Sequence, residues 1–295
     1  MHLSSKPKCF SAKKFAIPSA ILVFAFSAHT TACNPAVRLI SSDNSLRAED
    51  NSQVQSSSRP QGQSSNTDIM QVAVIGDSQS TGGYGQRLSD LIRYASKQQL
   101  IYFGAASSAR VGSWVSGGFS PIPANAFYGC DSGGVARSCA PSMQGGRRTE
   151  SISSIMKRNS NADLFILTLG DNHFHDPASI RSELPQLVKP ILSSGAKCAF
   201  VTPTEGTGRF ADKRNLLSNI KSALADIKTQ TGTTCELIDS YTVGADVLKS
   251  NADLQHMRNS VSVDPMGLHP QGSGARLWAE RVFEALTARG LLTRL

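Results

Sequence analysis

The sequence predicts an α/β fold in which a five-stranded, mainly parallel sheet lies between two layers of helices. Three observations lead there. Strand-like and helix-like segments alternate five times. The strand candidates are short apolar runs without polar alternation, such as Val72-Ala73-Val74-Ile75, as expected of strands covered on both faces. The helix candidates carry a single apolar stripe, which suits helices laid on a sheet.

The elements follow in order. Gln71 to Ile75 is the first strand and runs into Gly76-Asp77-Ser78-Gln79-Ser80. Tyr84 to Lys97 reads as a helix, with Leu88, Leu91, Ile92 and Ala95 on one side. Leu100 to Phe103 is the second strand. A glycine- and serine-rich stretch from Gly104 to Gly146 comes next and carries Trp114, Phe119, Phe127 and Tyr128. A structureless loop of this length inside a domain is usually functional, so it is expected to wall a binding cleft. Arg147 to Arg158 looks helical, and Asp163 to Leu169 is the third strand, leading into Gly170-Asp171-Asn172-His173. The helix around Ala178 to Leu192 is expected to be distorted by Pro185 and Pro190. Cys198 to Thr202 is the fourth strand, Arg209 to Thr229 a helix, and Cys235 to Ile238 the fifth strand. Ser273 to Leu286 is the final helix and begins soon after His269.

Length and composition bound what the chain does. Its 295 residues, 40% of them hydrophobic, suffice for one α/β domain with extra segments. The formal charge of +8 falls to +4 without the first 33 residues, where four lysines and no carboxylate stand. So mild an excess gives no warrant for nucleic-acid binding. Lys6, Lys8, Lys13 and Lys14 precede an interrupted apolar stretch, Phe15 to Ala28, too short for a membrane span and suited to a signal peptide over residues 1–32. It ends in Thr30-Thr31-Ala32-Cys33, which resembles a bacterial lipobox except that Thr30 stands where leucine is usual. That resemblance implies a lipidated Cys33, a membrane lipid anchor and an exported, cell-envelope protein. Residues 33–68, rich in Ser, Asn and Gln, are expected to be a disordered tether, with the folded domain over 69–295. Export favours disulfides among Cys130, Cys139, Cys198 and Cys235, for which three pairings exist. Cys130 and Cys139 flank one loop, and Cys198 and Cys235 each begin a strand.

In an open α/β sheet, ligands sit where strands end and helices begin, which is where Ser78 stands. A phosphate loop is excluded because no lysine follows Gly82, and Gly83-Tyr84-Gly85 lacks the third glycine of a dinucleotide turn. Gly76-Asp77-Ser78-x-Ser80 after a first strand resembles block one of the SGNH (GDSL-type) hydrolases. Gly170-Asp171-Asn172 resembles their Gly-x-Asn block, and Gly267-Leu268-His269-Pro270 their final block. The resemblance spans roughly residues 70 to 290. It implies a flavodoxin-like three-layer fold and a serine esterase without a cofactor.

The same resemblance assigns roles. Ser78 would attack an ester carbonyl, His269 would act as base and then acid, and the Asn172 amide would face the oxyanion. Three residues before the histidine the family has aspartate, whereas this chain has Met266, and Asp264 is the nearest carboxylate. Either Asp264 orients His269 or a backbone carbonyl does. The second block is altered too: in Gly104-Ala105-Ala106-Ser107 the backbone donor aligns with Ser107, with Gly104 as the rival. Ser78 N–H would complete the oxyanion hole. Trp114 and Tyr128 are candidates for stacking on sugar rings. No metal set is expected, because His173 and His175 lack a third ligand. The expected substrates are acetyl or other acyl esters on envelope glycans. The alternatives are a lipase or broad carboxylesterase, and a carbohydrate-binding lipoprotein with a decayed triad.

Overall fold

One β-sheet organises the chain, and its strand order explains where its loops converge. The computed structural model describes residues 69–130, 140–205, 212–260 and 269–294, all within one compact unit. The parallel strands are β1 (Met70–Gly76), β2 (Gln98–Ala106), β5 (Leu164–Thr168), β6 (Lys197–Val201) and β7 (Glu236–Ile238). Two short antiparallel strands, β3 (Ala126–Gly129) and β4 (Ser142–Met143), extend the sheet beyond β2. The order is β4-β3-β2-β1-β5-β6-β7, so seven strands replace the five expected. The two extra strands come from the stretch read as an open loop. Their four and two residues are too short to show a strand period.

The helices are α1 (Gly83–Tyr94), α2 (Val111–Ser116), α3 (Ile152–Arg158), α4 (Ile180–Ser193), α5 (Arg214–Thr231), α6 (Asn251–Asn259) and α7 (Gly272–Ala288). They cover both faces of the sheet. Along β1, Val72 and Val74 face one side with Leu88, Ile92, Trp278 and Val282, while Ala73 and Ile75 face the other with Leu184, Val188, Ile191 and Ile220. The same alternation divides Leu164 and Ile166 from Phe165 and Leu167 on β5. This two-sided burial is why the strands read as unbroken apolar runs.

Local chemistry sets the element ends. Helix α1 stops at Tyr94, short of the expected Lys97, because Lys97 takes φ +61° and turns the chain directly into β2. Helix α4 runs through Pro185 and Pro190. The N–H groups that Pro185 and Pro190 lack would have bonded the carbonyls of Arg181 and Gln186, both exposed residues, where solvent can serve instead. Its buried stripe of Ile180, Leu184, Leu187, Val188 and Ile191 holds it on the sheet. Cys198 at the start of β6 and Cys235 just before β7 form a disulfide that ties the two strands. Cys130 is also disulfide-bonded, while Cys139 lies outside the described residues. Residues 1–68, on which the expected signal peptide, lipidated Cys33 and tether fall, also lie outside them.

At the C-terminal end of β1, a short 3₁₀ turn, Ser78–Thr81, leads into α1. It needs glycine at position 85, where a Cβ would come within 1.9 Å of the Ser80 carbonyl oxygen. Gly85→Ala is therefore expected to lower stability by about 1–3 kcal/mol, the usual cost of overpacking. Urea unfolding of the variant against the wild type checks it.

Candidate active site

Strand order reverses around β1. The chain leaves β1 for β2 on one side, and the next parallel strand, β5, lies on the other. Such a reversal opens a crevice at the carboxyl ends of the strands. Ser78 follows β1 and Asn172 follows β5, so both turns face that crevice. His269 arrives from the far end of the sequence, just ahead of α7. The ring of Trp278 on α7 stacks on Tyr84 of α1 with centroids 3.9 Å apart, and its indole N–H donates to Ser240 Oγ at 3.0 Å. Arg87 on α1 donates to Glu280 on α7 through both Nε and Nη2, at 3.0 and 2.7 Å. These contacts clamp the helix after Ser78 to the helix after His269.

The consequence is a short bond between the two side chains. His269 Nε2 lies 2.8 Å from Ser78 Oγ across 191 residues of sequence. That is the distance at which an imidazole takes a hydroxyl proton. Asp264 and Met266 lie outside the described residues.

The oxyanion side corrects one expectation. Ser107 N–H donates to Asn125 O at 2.9 Å, because β2 and β3 continue their ladder one step past Ala106↔Ala126. Ser107 N–H is thus spent in the sheet. Gly104, the rival, is paired with Tyr128 inside β2. The chain turns one residue later, at Ser108, which takes φ +61°, the left-handed region that favours glycine. Its hydroxyl holds the turn by donating to Ile122 O at 2.5 Å. Ser108 N–H donates to no acceptor among the described residues, and Ser108 lines the same cleft as Ser78, Asn172 and His269. Asn172 Nδ2 gives one hydrogen to Ala109 O at 2.9 Å and keeps a second. Arg110 Nε donates to Asn172 O at 3.0 Å, so both ends of the asparagine are tied to one segment.

Two aromatic expectations also change. Trp114 and Tyr128 are both fully buried, in the core beneath α2 and β3. The Arg147 guanidinium covers the Tyr128 ring at 4.1 Å, and Tyr128 OH donates to Arg148 O at 3.2 Å. Neither ring is available to a sugar; they pack the 104–146 segment instead. That segment does wall the cleft, through Ser107, Ser108, Ile122, Pro123 and Asn125.

Sequence reasoning passed over the groups beneath the site. Asp77 Oδ1 accepts Gln79 N–H at 3.0 Å and its Oδ2 accepts Asp171 N–H at 3.3 Å. Burial, then the Asp171 charge, push the Asp77 carboxyl up to about 7. His173 is buried and accepts Val111 N–H on Nε2 at 3.3 Å, which fixes a neutral ring with Nδ1 toward Ser179 Oγ at 3.2 Å. Burial, then the Arg110 guanidinium, lower its pKa to about 4. The cleft holds about 550 Å³, and its lining consists of hydroxyl, amide and glycine groups with Ile122, Pro123 and Pro270 as apolar members.

Neither a protein-family model nor a curated protein matches the sequence. Among solved structures it is similar to a family two carbohydrate esterase from Clostridium thermocellum in complex with cellohexaose, at 15% identity and TM-score 0.42, over 76% of this chain and 65% of that one. It is also similar to the acetyl xylan esterase AlAXEase, at 13% identity and TM-score 0.42, over 74% of this chain and 100% of that one. A peptidoglycan O-acetylesterase matches at 12% identity and TM-score 0.43, over 76% of this chain and 92% of that one. The chain thus spans just under two thirds of the first of these. Likeness at this level leaves the reading of the site to its own residues and distances.

His173 gives a pH prediction. Its pKa is lower in the folded protein, about 4, than its ordinary 6.5, so between these values the unfolded chain binds more protons. Its contribution is present above pH 6.5 and is lost as pH falls to 4, worth at most on the order of 3 kcal/mol. Asp77, raised from 3.8 to about 7, acts in the opposite direction: its carboxyl loses stability as pH rises through that window. Subtracting His173→Gln from wild type isolates the histidine. The expected result, in urea unfolding measured from pH 7 to 4, is that the stability of wild type minus that of the variant shrinks as pH falls below 6.5.

Proposed function

We propose that this chain is an SGNH-type serine ester hydrolase acting on O-acetyl esters of carbohydrate. The observation that carries the reading is the 2.8 Å bond between Ser78 Oγ and His269 Nε2 at the crevice beside β1. His269 takes the Ser78 proton as Oγ attacks the acyl carbon, and the carbonyl oxygen becomes an oxyanion. Ser78 N–H, Ser108 N–H and the second hydrogen of Asn172 Nδ2 receive that charge. As the bond from acyl carbon to sugar oxygen breaks, His269 gives its proton to that oxygen, the sugar leaves with a free hydroxyl, and the acyl group stays on Ser78 Oγ. Water, activated by the same imidazole, releases the acid and restores Ser78.

Cleft chemistry supports the substrate class. A long acyl chain gains about 0.8 kcal/mol per buried methylene only where an apolar wall receives it. Here Ile122, Pro123 and Pro270 are the apolar part of the lining, and Thr81, Ser107, Asn125 and Gln271 set hydrogen-bonding groups beside them. That mixed lining suits a short acyl group carried on a polyhydroxy substrate. The Ser78–His269 contact disfavours a decayed, binding-only site. Asp264 is proposed as the group that orients His269. We also propose an exported protein anchored by lipid on Cys33, which Cys33→Ala tests by releasing it from membranes.

Wild type is expected to turn over a chromogenic acetyl ester, and folded Ser78→Ala to lose the activity; full activity in that variant overturns the nucleophile. Asn172→Ala is expected to lower kcat by about 10²- to 10³-fold, the usual loss for one oxyanion donor.

Asp264→Asn separates a triad from a dyad. The comparable change in a serine protease costs about 10⁴-fold in kcat, because the wrong imidazole tautomer is held. A steep loss is expected here, with Met266→Asp in the same chain recovering part of it. A near-neutral Asp264→Asn would leave orientation of His269 to a backbone carbonyl.

A further inference from the structure

Beneath Ser78 lies a group of charged side chains that proton transfer does not use. Lys213, immediately before α5, is buried to 4% exposure, although lysine ordinarily reaches solvent. Its ammonium donates to Asp171 Oδ1 and, at 2.7 Å, to Thr204 O. The other oxygen of Asp171 accepts the Gln79 side-chain amide at 2.7 Å. Asp171 immediately precedes Asn172, and Gln79 immediately follows Ser78. Asp77 closes the arrangement by accepting the backbone N–H groups of both Gln79 and Asp171. Each turn thus grips the other: the β1 turn holds the β5 turn by its backbone, and the β5 turn holds the β1 turn by a side chain. A buried carboxylate in this role needs a countercharge, and Lys213 supplies it.

We propose that Lys213 is a positioning residue: by fixing the Asp171 carboxylate it holds the turn of Ser78 and the turn of Asn172 in register, so that nucleophile and oxyanion amide address the same acyl group. This rests on the roles given to Ser78 and Asn172 under Proposed function. Attack and oxyanion stabilisation both depend on sub-ångström placement, and a displacement of about 1 Å from a remote change costs roughly 10²-fold. The ion pair lies under the turns, outside the lining of the cleft, so substrate affinity is not its business.

The test separates positioning from mere charge balance. Lys213→Met alone leaves Asp171 buried without its partner, and both the thermal midpoint and kcat are expected to fall. Lys213→Met with Asp171→Asn removes both charges, and an amide oxygen can still accept from Gln79. In this double variant the midpoint is expected to recover toward wild type, while kcat on the chromogenic acetyl ester stays about 10- to 100-fold down with KM little changed. If kcat recovers together with the midpoint, the pair only balances charge and the proposal is overturned. Gln79→Met cuts the far end of the link and leaves the ion pair whole. It leaves one buried carboxylate oxygen without its donor, so its midpoint is expected to fall less than that of Lys213→Met, while kcat falls about tenfold or more with KM little changed; wild-type kcat in this variant overturns the proposal whatever the Lys213 variants do. A wild type that neither hydrolyses the ester nor is labelled at Ser78 by a fluorophosphonate overturns both readings. An active wild type with unimpaired variants overturns this one alone.

Discussion

Everything at the site depends on β1 being paired in parallel on both sides, with its two neighbours reached in opposite directions. Because β2 and β5 flank it, the carboxyl end of β1 opens into a crevice, and the turn after β5 lies beside the turn after β1. Had the strands followed one another in simple order, a crossover would cover that end. The apolar burial that fixes β1 in the middle of the sheet therefore also fixes where polar chemistry is possible. Val72 to Ile75 are wholly buried, and the first polar side chains after them are Asp77 and Ser78.

Two independent couplings then define the site. On one face α1 and α7 are locked by the Tyr84–Trp278 stack and the Arg87–Glu280 pair, which brings His269 to Ser78. Beneath the crevice, Asp77, Gln79, Asp171 and Lys213 join the nucleophile turn to the Asn172 turn. A third tie runs along the opposite wall: Ala109 and Arg110 bond Asn172, and Val111 bonds His173. Asn172 is therefore anchored at its own side chain, at its carbonyl and through the residue on either side.

What could be read in the sequence is what has a local signature. Ser78 and Asn172 each follow an apolar run that ends in glycine, and His269 stands just before a stripe that packs on the sheet. The five parallel strands were legible for the same reason. Ser108 was not, because the length of β2 is set by its pairing with β3, and nothing near Ala105-Ala106-Ser107-Ser108 shows where that ladder stops. Trp114 and Tyr128 looked like cleft aromatics because a glycine-rich stretch hides the fact that it builds its own core. Lys213 carries no signature at all: its partners lie 42 residues away on Asp171 and nine away on Thr204, and only the folded chain brings them together.

The β3–β4 hairpin has a role at the other end of the sheet as well. An uncovered edge strand is a template on which a second chain can pair, and natural sheets blunt such edges. Without the hairpin, the rim of this sheet would be Phe103 to Ala106, a buried, nearly unbroken apolar segment. With it, the rim is Ser142–Met143, only two residues long and preceded by Pro141, which has no N–H to offer. The hairpin that follows the cleft wall thus covers an edge on which a second chain could pair. Evolution or engineering that reshapes the adjoining wall at Ile122, Pro123 and Asn125 for a different ester is constrained by solubility wherever the change unseats β3.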